Sequence, residues 1–231
     1  MSRSFLTNHI AGHGPSYTEF TPVVRLFDEY IAVTVKPVSP IRTGKDLLAF
    51  MKRDPTAISF GIATSLGAPN HSGAAAAFKA AGIDIKKMKN VIFSSGGQAS
   101  TALLGGHVDV VPISVAFAAS LLRNGQVRLI AVTAPERLHG ILKDVPTWKE
   151  QGADAVVTQW RILIGPKGMT PGQVAYWENV MRRMMEADEW KKELEENFWT
   201  KNLQTGAESR KFLARDHADA KAFLTELGLA K

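Results

Sequence analysis

The chain has 231 residues, 45% apolar and 22% charged, which suits a folded globular protein with a sizeable core in one large domain or two lobes. It contains no cysteine, so disulfides and thiolate chemistry are excluded. The net charge of +6 is dispersed: the densest basic groups, Lys86, Lys87 and Lys89 or Arg182 and Arg183, are too short for a basic arm, and no aromatics alternate with them as a stacking platform, so no nucleic-acid partner is expected. No run of about 18 apolar residues is present to span a membrane. The opening "MSRSFLTNHIAGHG" lacks the apolar core and small-residue cleavage site of a secretory signal.

Along the chain, "EYIAVTVKP" (29–37) is rich in β-branched residues and reads as a strand stopped at Pro37. "TGKDLLAFMKRDP" reads as a helix, capped by Thr43 with Asp46 three residues on and closed at Pro55. "AISFGI" (57–62) is a short buried strand. The loop "ATSLGAPNHSG" (63–73) follows it and leads into a helix reaching about Ala81. "MKNVIF" (88–93) is a strand, "SSGGQAS" a second polar loop, and "ASTALLGG" a short helix closed by Gly105 and Gly106. "HVDVVPI" and "VRLIAVT" are strands separated by the helix "SVAFAASLLRNG". This alternation predicts an α/β protein with a parallel or mixed sheet and helices on its faces.

Beyond Thr170 the pattern becomes helical. Thr170 caps a long helix with Pro171 at its first position, and Val174, Trp177, Met181, Met184 and Met185 share one face as expected core. "TGAE" opens the last helix with a capping box from Thr205 to Glu208. Phe212, Leu213, His217, Ala220, Phe223 and Leu224 then lie on one face, with His217 expected at the core edge.

Both polar loops lie between the end of a strand and the start of a helix, where open α/β sheets bind ligands. Helix N-termini there present unpaired N–H groups and partial positive charge, and so favour anions. The loops thus fit two readings, donors for a small anion or plain helix caps. The specific alternatives fail. "GIATSLG" lacks the Gly-Lys-Ser/Thr of a phosphate loop, and no Gly-x-Ser-x-Gly elbow or His-Glu-x-x-His pair occurs. His9 and His13 have helical spacing, but their segment carries glycines and Pro15 instead of a helix pattern. His71 and His107 have no nucleophile assigned beside them. No enzyme, metal or cofactor is expected.

"FLTNHIAGHGPSYTEFTPVVRLFDEYIAVTVKPVSP", "GAPNH", "FSSGGQASTALLGGHVDVV", "RLIAVTAPERLHGILKDVPTWKEQG" and "GPKGMTPGQVAYWE" occur in the order of similar segments in one family. From about Phe5 to the C-terminus the chain resembles the substrate-binding receptors of the tripartite tricarboxylate transporters, of the Bordetella uptake type. The resemblance implies a bilobal, periplasmic-binding-protein-like fold of type II, a Venus flytrap. Residues 1–38 would form a partial first lobe and crossover strand, 39–162 a complete second lobe, and 163–231 the helical end of the first lobe.

It further implies a periplasmic protein that captures a small di- or tricarboxylate, citrate-like, and delivers it to membrane transporter subunits. Carried over, the ligand groups are Thr64, Ser65, Gly67, Ala68, Asn70 and His71 in one loop and Ser94, Ser95, Gly96 and Gly97 in the facing loop. Ser114 and Arg161 complete the set, and His71 is expected to cap and orient its loop. Many members have Tyr-Lys-Gly where this chain has Phe93-Ser94-Ser95, so a ligand's charge would be met mostly by dipoles. The family's signal peptide and the glycine-rich N-terminal part of its first lobe have no counterpart here. Exposed sheet edges and helix faces are therefore expected, with homodimerisation or partial disorder of residues 1–25. A sensory or interaction module is the alternative, and an enzyme acting on a carboxylate the more remote one.

Overall fold

The computed structural model describes residues Met1–Lys231. In chain order the elements are α1 (Arg3–Ile10), β1 (Phe20–Val35), α2 (Gly44–Arg53), β2 (Ser59–Ala63), α3 (Pro69–Ala80), β3 (Lys89–Phe93), α4 (Gly96–Leu104) and β4 (Val111–Ser114). They continue with α5 (Val115–Arg123), β5 (Arg128–Val132), β6 (Thr158–Pro166), α6 (Pro171–Glu186), α7 (Asp188–Glu196), β7 (Thr200–Thr205) and α8 (Gly206–Glu226). The chain divides into a central unit, Tyr30–Thr158, and a terminal unit, Met1–Glu29 with Gln159–Lys231. The division falls at Tyr30 instead of residue 39 because the last residues of β1 pair inside the central unit, from Ile31 to Val35.

In the central unit β1 runs antiparallel to both β4 (Ile31↔Ser114) and β5 (Ala32↔Val132). β2 and β3 are parallel, from Ser59↔Lys89 to Ala63↔Phe93, and a parallel bridge from Phe60 to Val110 places β2 beside β4. The sheet is therefore mixed, with β1 the reversed strand. Phe60, Ile62, Ile31, Ile113 and Ile130 are buried, as expected of strands covered on both faces, whereas Val91 and Ile92 on β3 are exposed. The expected capping box at the start of α2 forms, Thr43 and Asp46 each accepting the other's backbone N–H.

α3 approaches this sheet closely. A Cβ on Gly73 would stand 2.8 Å from a side-chain carbon of Ile31. Gly73 also offers its carbonyl to Trp148 Nε1 at 3.3 Å, which satisfies the one polar atom of a fully buried indole.

In the terminal unit β1 is joined by β6 and, antiparallel, by β7 (Val24↔Thr205). In this unit α1 joins a core. Leu6 packs with Trp160, Ile162 and Leu213, and Ile10 with Ala220 and Leu224. Trp160 Nε1 donates to Asp216 at 3.0 Å, and Arg3 pairs with the same carboxylate at 3.3 Å. α1 thus makes His9 helical where an irregular segment was expected, while His13 lies beyond its end. No three or more His, Cys, Asp or Glu side chains are gathered as metal ligands would be.

The core assignment for α6 needs correction. Of its apolar stripe only Met185 is buried; Trp177 is 44% exposed and Tyr176 64%. Trp177 and Met181 instead border a cavity of about 260 Å³ with Val23, Leu163, Ile164 and Met169. In α8, Leu213, Ala220 and Leu224 are buried as expected. His217 lies at the margin, its ring 5.2 Å from that of Tyr17.

The close approach at Gly73 sets a testable cost. Gly73→Ala forces α3 and Ile31 apart and should lower stability by about 1–3 kcal/mol. A urea-unfolding midpoint unchanged from the parent would show that the packing yields without cost.

Candidate functional site

Because β2, β3 and β4 run parallel, their C-terminal ends share one edge of the central sheet, and α3, α4 and α5 all begin there. The three strand-to-helix loops are tied to one another. Thr64 N–H donates to the Phe93 carbonyl at 2.8 Å, joining the first loop to the end of β3. At the start of α4, a Cβ on Gly96 would lie 3.6 Å from Ile113 and 3.8 Å from the ring of Phe117, joining the second loop to the third. The central unit thus gathers Thr64, Ser65, Gly67, Ala68, Asn70, His71, Ser94, Ser95, Gly96, Gly97 and Ser114 along one edge.

Within the first loop the backbone is tightly wound. Thr64 adopts φ +70° and Gly67 φ +82°, the former unusual for a side chain branched at Cβ. The amides of four expected donors already have protein acceptors: Thr64 on Phe93 O, Ser65 on Ala63 O, Ala68 on Ser65 O, and Gly67 on His71 Nδ1 at 3.1 Å. Gly67, Ala68 and Pro69 are buried, whereas Thr64 is exposed and Ser65 and Asn70 half-buried. What this loop presents is therefore hydroxyls and the N-terminal turn of α3, whose first amides have no partner within the helix.

The second loop is more open. Ser95 caps α4, its hydroxyl accepting from Gln98 N–H at 3.3 Å, while Ser94 donates through both N–H and Oγ to Gln98 Oε1. Gln98, absent from the sequence-derived set, holds this loop in shape. Its position three residues after a capping serine was the available signal. Gly97 has only Ser95 Oγ within 4 Å of a built Cβ, at 3.8 Å, so the α4 N-terminus opens on free space. In the third loop Ser114 caps α5 by accepting from Phe117 N–H at 3.5 Å.

His71 behaves as an orienting group. Burial pushes its pKa down to about 4, and accepting the Gly67 N–H requires an unprotonated Nδ1. The neutral ring thus carries its proton on Nε2. Arg161 lies in the terminal unit, where it pairs with the buried carboxylate of Glu29 at 3.2 Å and donates to the Trp160 carbonyl. That engagement runs against its expected role at a ligand. The assembled edge of the central unit carries hydroxyls, amides and three helix N-termini, groups whose N–H and O–H dipoles favour anionic oxygen.

A family model described as tripartite tricarboxylate transporter family receptor matches residues 14–229, and the chain belongs to that family. The "UPF0065 protein in gbd 5'region" of Cupriavidus necator is 26% identical over 209 residues, 90% of this chain and 62% of the relative. The chain therefore spans about three-fifths of that relative's length. A TctC solute binding protein from Polaromonas, solved with no ligand, is 25% identical with a TM-score of 0.79, covering 98% of this chain and 77% of its own. An R. palustris protein solved with adipate has a TM-score of 0.84 at 19% identity, covering 100% and 77%. The α/β fold with two units is the type II periplasmic-binding-protein fold of these receptors.

The His71–Gly67 contact predicts a pH signature. The folded pKa lies below the unfolded value of 6.5, so the unfolded chain binds more protons between the two. Stability is full above pH 6.5 and falls toward pH 4, by roughly 3 kcal/mol for this group alone. Urea unfolding at pH 7 and pH 4 should show this extra loss in the parent and not in His71→Gln, which titrates nothing at that position. Equal losses in both proteins would refute the assignment.

Proposed function

We propose that this chain is an extracytoplasmic solute-binding receptor, periplasmic in its host, that captures a small di- or tricarboxylate for a tripartite tricarboxylate transporter. Citrate is one member of the ligand class. The observation that carries this reading is the edge of the central unit, where Thr64, Ser65, Ser94, Ser95 and Ser114 surround the N-termini of α3, α4 and α5. Family membership and the adipate held by a solved protein of this fold support it.

The ligand's negative charge is met by dipoles and hydroxyls. Gly96 and Gly97 supply amides the ligand can approach closely, Ser95 and Ser114 cap and position them, and His71 fixes the first loop through Gly67. Catalysis forms no part of this reading, because the one titratable side chain of these loops is buried and neutral. The receptor's membrane partners are the subunits of the transporter that its family serves.

The test is a thermal-shift screen against small organic acids at pH 7. A binding acid should raise the melting temperature by mass action, about 2.7 kcal/mol at a hundredfold excess over its dissociation constant. Gly97→Leu, which projects into open space and leaves the core untouched, should abolish the shift while keeping the parent melting temperature. A screen without any response in the parent would overturn the proposal.

A homodimer also belongs to this reading, formed through α6, where Trp177 and Tyr176 are exposed beside the apolar cavity of the terminal unit. Light scattering should give twice the chain mass for the parent and a single chain mass for Trp177→Lys. A monomeric parent at high micromolar concentration would remove the dimer from the model.

A further inference from the structure

One residue of the site edge does not fit a purely polar cradle. Phe117, in the first turn of α5, is 37% exposed although its neighbours Val115, Ala118 and Ala119 are buried. Its backbone is held at the helix start, N–H donating to Ser114 Oγ. Its ring carbons Cδ1 and Cε1 stand 3.8 and 3.9 Å from the Cβ position of Gly96, so the ring lies against the first turn of α4. Ser94, Ser95, Gly97 and Gln98 around that turn are exposed and polar. An open aromatic ring beside hydrogen-bond donors costs hydration free energy unless something apolar covers it.

We propose that Phe117 is a specificity-determining residue that selects, among carboxylates, those with an aliphatic carbon body over hydroxylated tricarboxylates. The inference rests on the carboxylate-receptor reading above. Donors at the α4 and α5 N-termini hold a carboxylate, and the carbons next to it then lie against the ring. Each methylene placed there leaves water and strengthens binding. A hydroxyl or second carboxylate placed there loses its water and meets no donor from phenylalanine. Leu66, 36% exposed in the first loop, adds a second apolar side chain open to solvent on the same sheet edge.

The experiment is calorimetric titration of the full chain with the straight-chain dicarboxylates succinate, glutarate, adipate and pimelate, and with citrate and tartrate. The proteins are the parent, Phe117→Ala and Phe117→Leu. The parent should gain about two- to fourfold in affinity per methylene and bind adipate more tightly than citrate. Phe117→Ala should flatten that dependence, and Phe117→Leu, which restores apolar surface, should recover most of it. Circular dichroism and melting temperature establish that each variant folds.

Binding without chain-length dependence, citrate preferred over adipate, or an unchanged slope in Phe117→Ala would each overturn the inference while leaving the receptor reading intact. Failure of every acid to bind the parent would overturn both.

Discussion

The candidate site depends on the parallel alignment of β2, β3 and β4. Parallel strands leave a sheet at the same edge, and a helix that follows each one must begin there. The alignment is held by local devices: the Phe60–Val110 bridge, the Thr64 N–H to Phe93 carbonyl bond, and the close seat of α3 on Ile31 at Gly73. Gly73 lies two residues beyond His71, so the packing that seats the helix also fixes the ring that receives the Gly67 amide. Core packing and loop geometry are therefore one constraint. A helix lifted from the sheet at Gly73 would carry its N-terminal turn away from the edge.

On the proposed reading that edge would meet anionic charge through dipoles and hydroxyls, and magnitudes bear on whether these could suffice. A solvent-exposed ion pair contributes about 0–1 kcal/mol, because both partners remain hydrated and mobile. Hydrogen bonds to a charged group are worth about 1.5–3 kcal/mol each, and a helix N-terminus adds about 0.3–1 kcal/mol, more where water is partly excluded. On the proposed reading, two or three free amides such as those of Gly96 and Gly97, in turns whose other donors are tied to Ser95, Ser114 and Gln98, would exceed what one flexible cation adds. These bonds fix the turns themselves, so on the proposed reading little ordering entropy would be lost on binding.

Local chemistry was legible where residues carry it themselves. Thr43 with Asp46, Thr170 before Pro171, and Thr205 with Glu208 cap helices as their order predicts. The strands of the central unit and the two polar loops were also readable, from apolar runs interrupted by glycine and serine. β7 was not, since Thr200–Thr205 is polar and becomes a strand by pairing with β1. α1 was missed because Leu6 and Ile10 form a single turn of pattern whose partners, Leu213 and Leu224, lie some two hundred residues away. The positive φ of Thr64 and the engagement of four loop amides arise from contacts across the fold, and no residue type announces them. The stripe on α6 had the right spacing, but spacing reports a shared face and not what covers it.

Arg161 shows how a residue's surroundings weigh on a role expected from sequence. Its guanidinium and the Glu29 carboxylate are 3.2 Å apart, with Gln159 donating to the same oxygen at 3.3 Å. The Glu29 side chain is 7% exposed and that of Arg161 34%. Removing the cation would strand a buried carboxylate, a loss of about 3–5 kcal/mol, whereas a partly exposed contact to a ligand returns about 1 kcal/mol or less. The balance keeps Arg161 with Glu29. By the same balance, the proposed reading assigns the charge to amides and hydroxyls of α4 and α5, which would meet it without abandoning a buried partner.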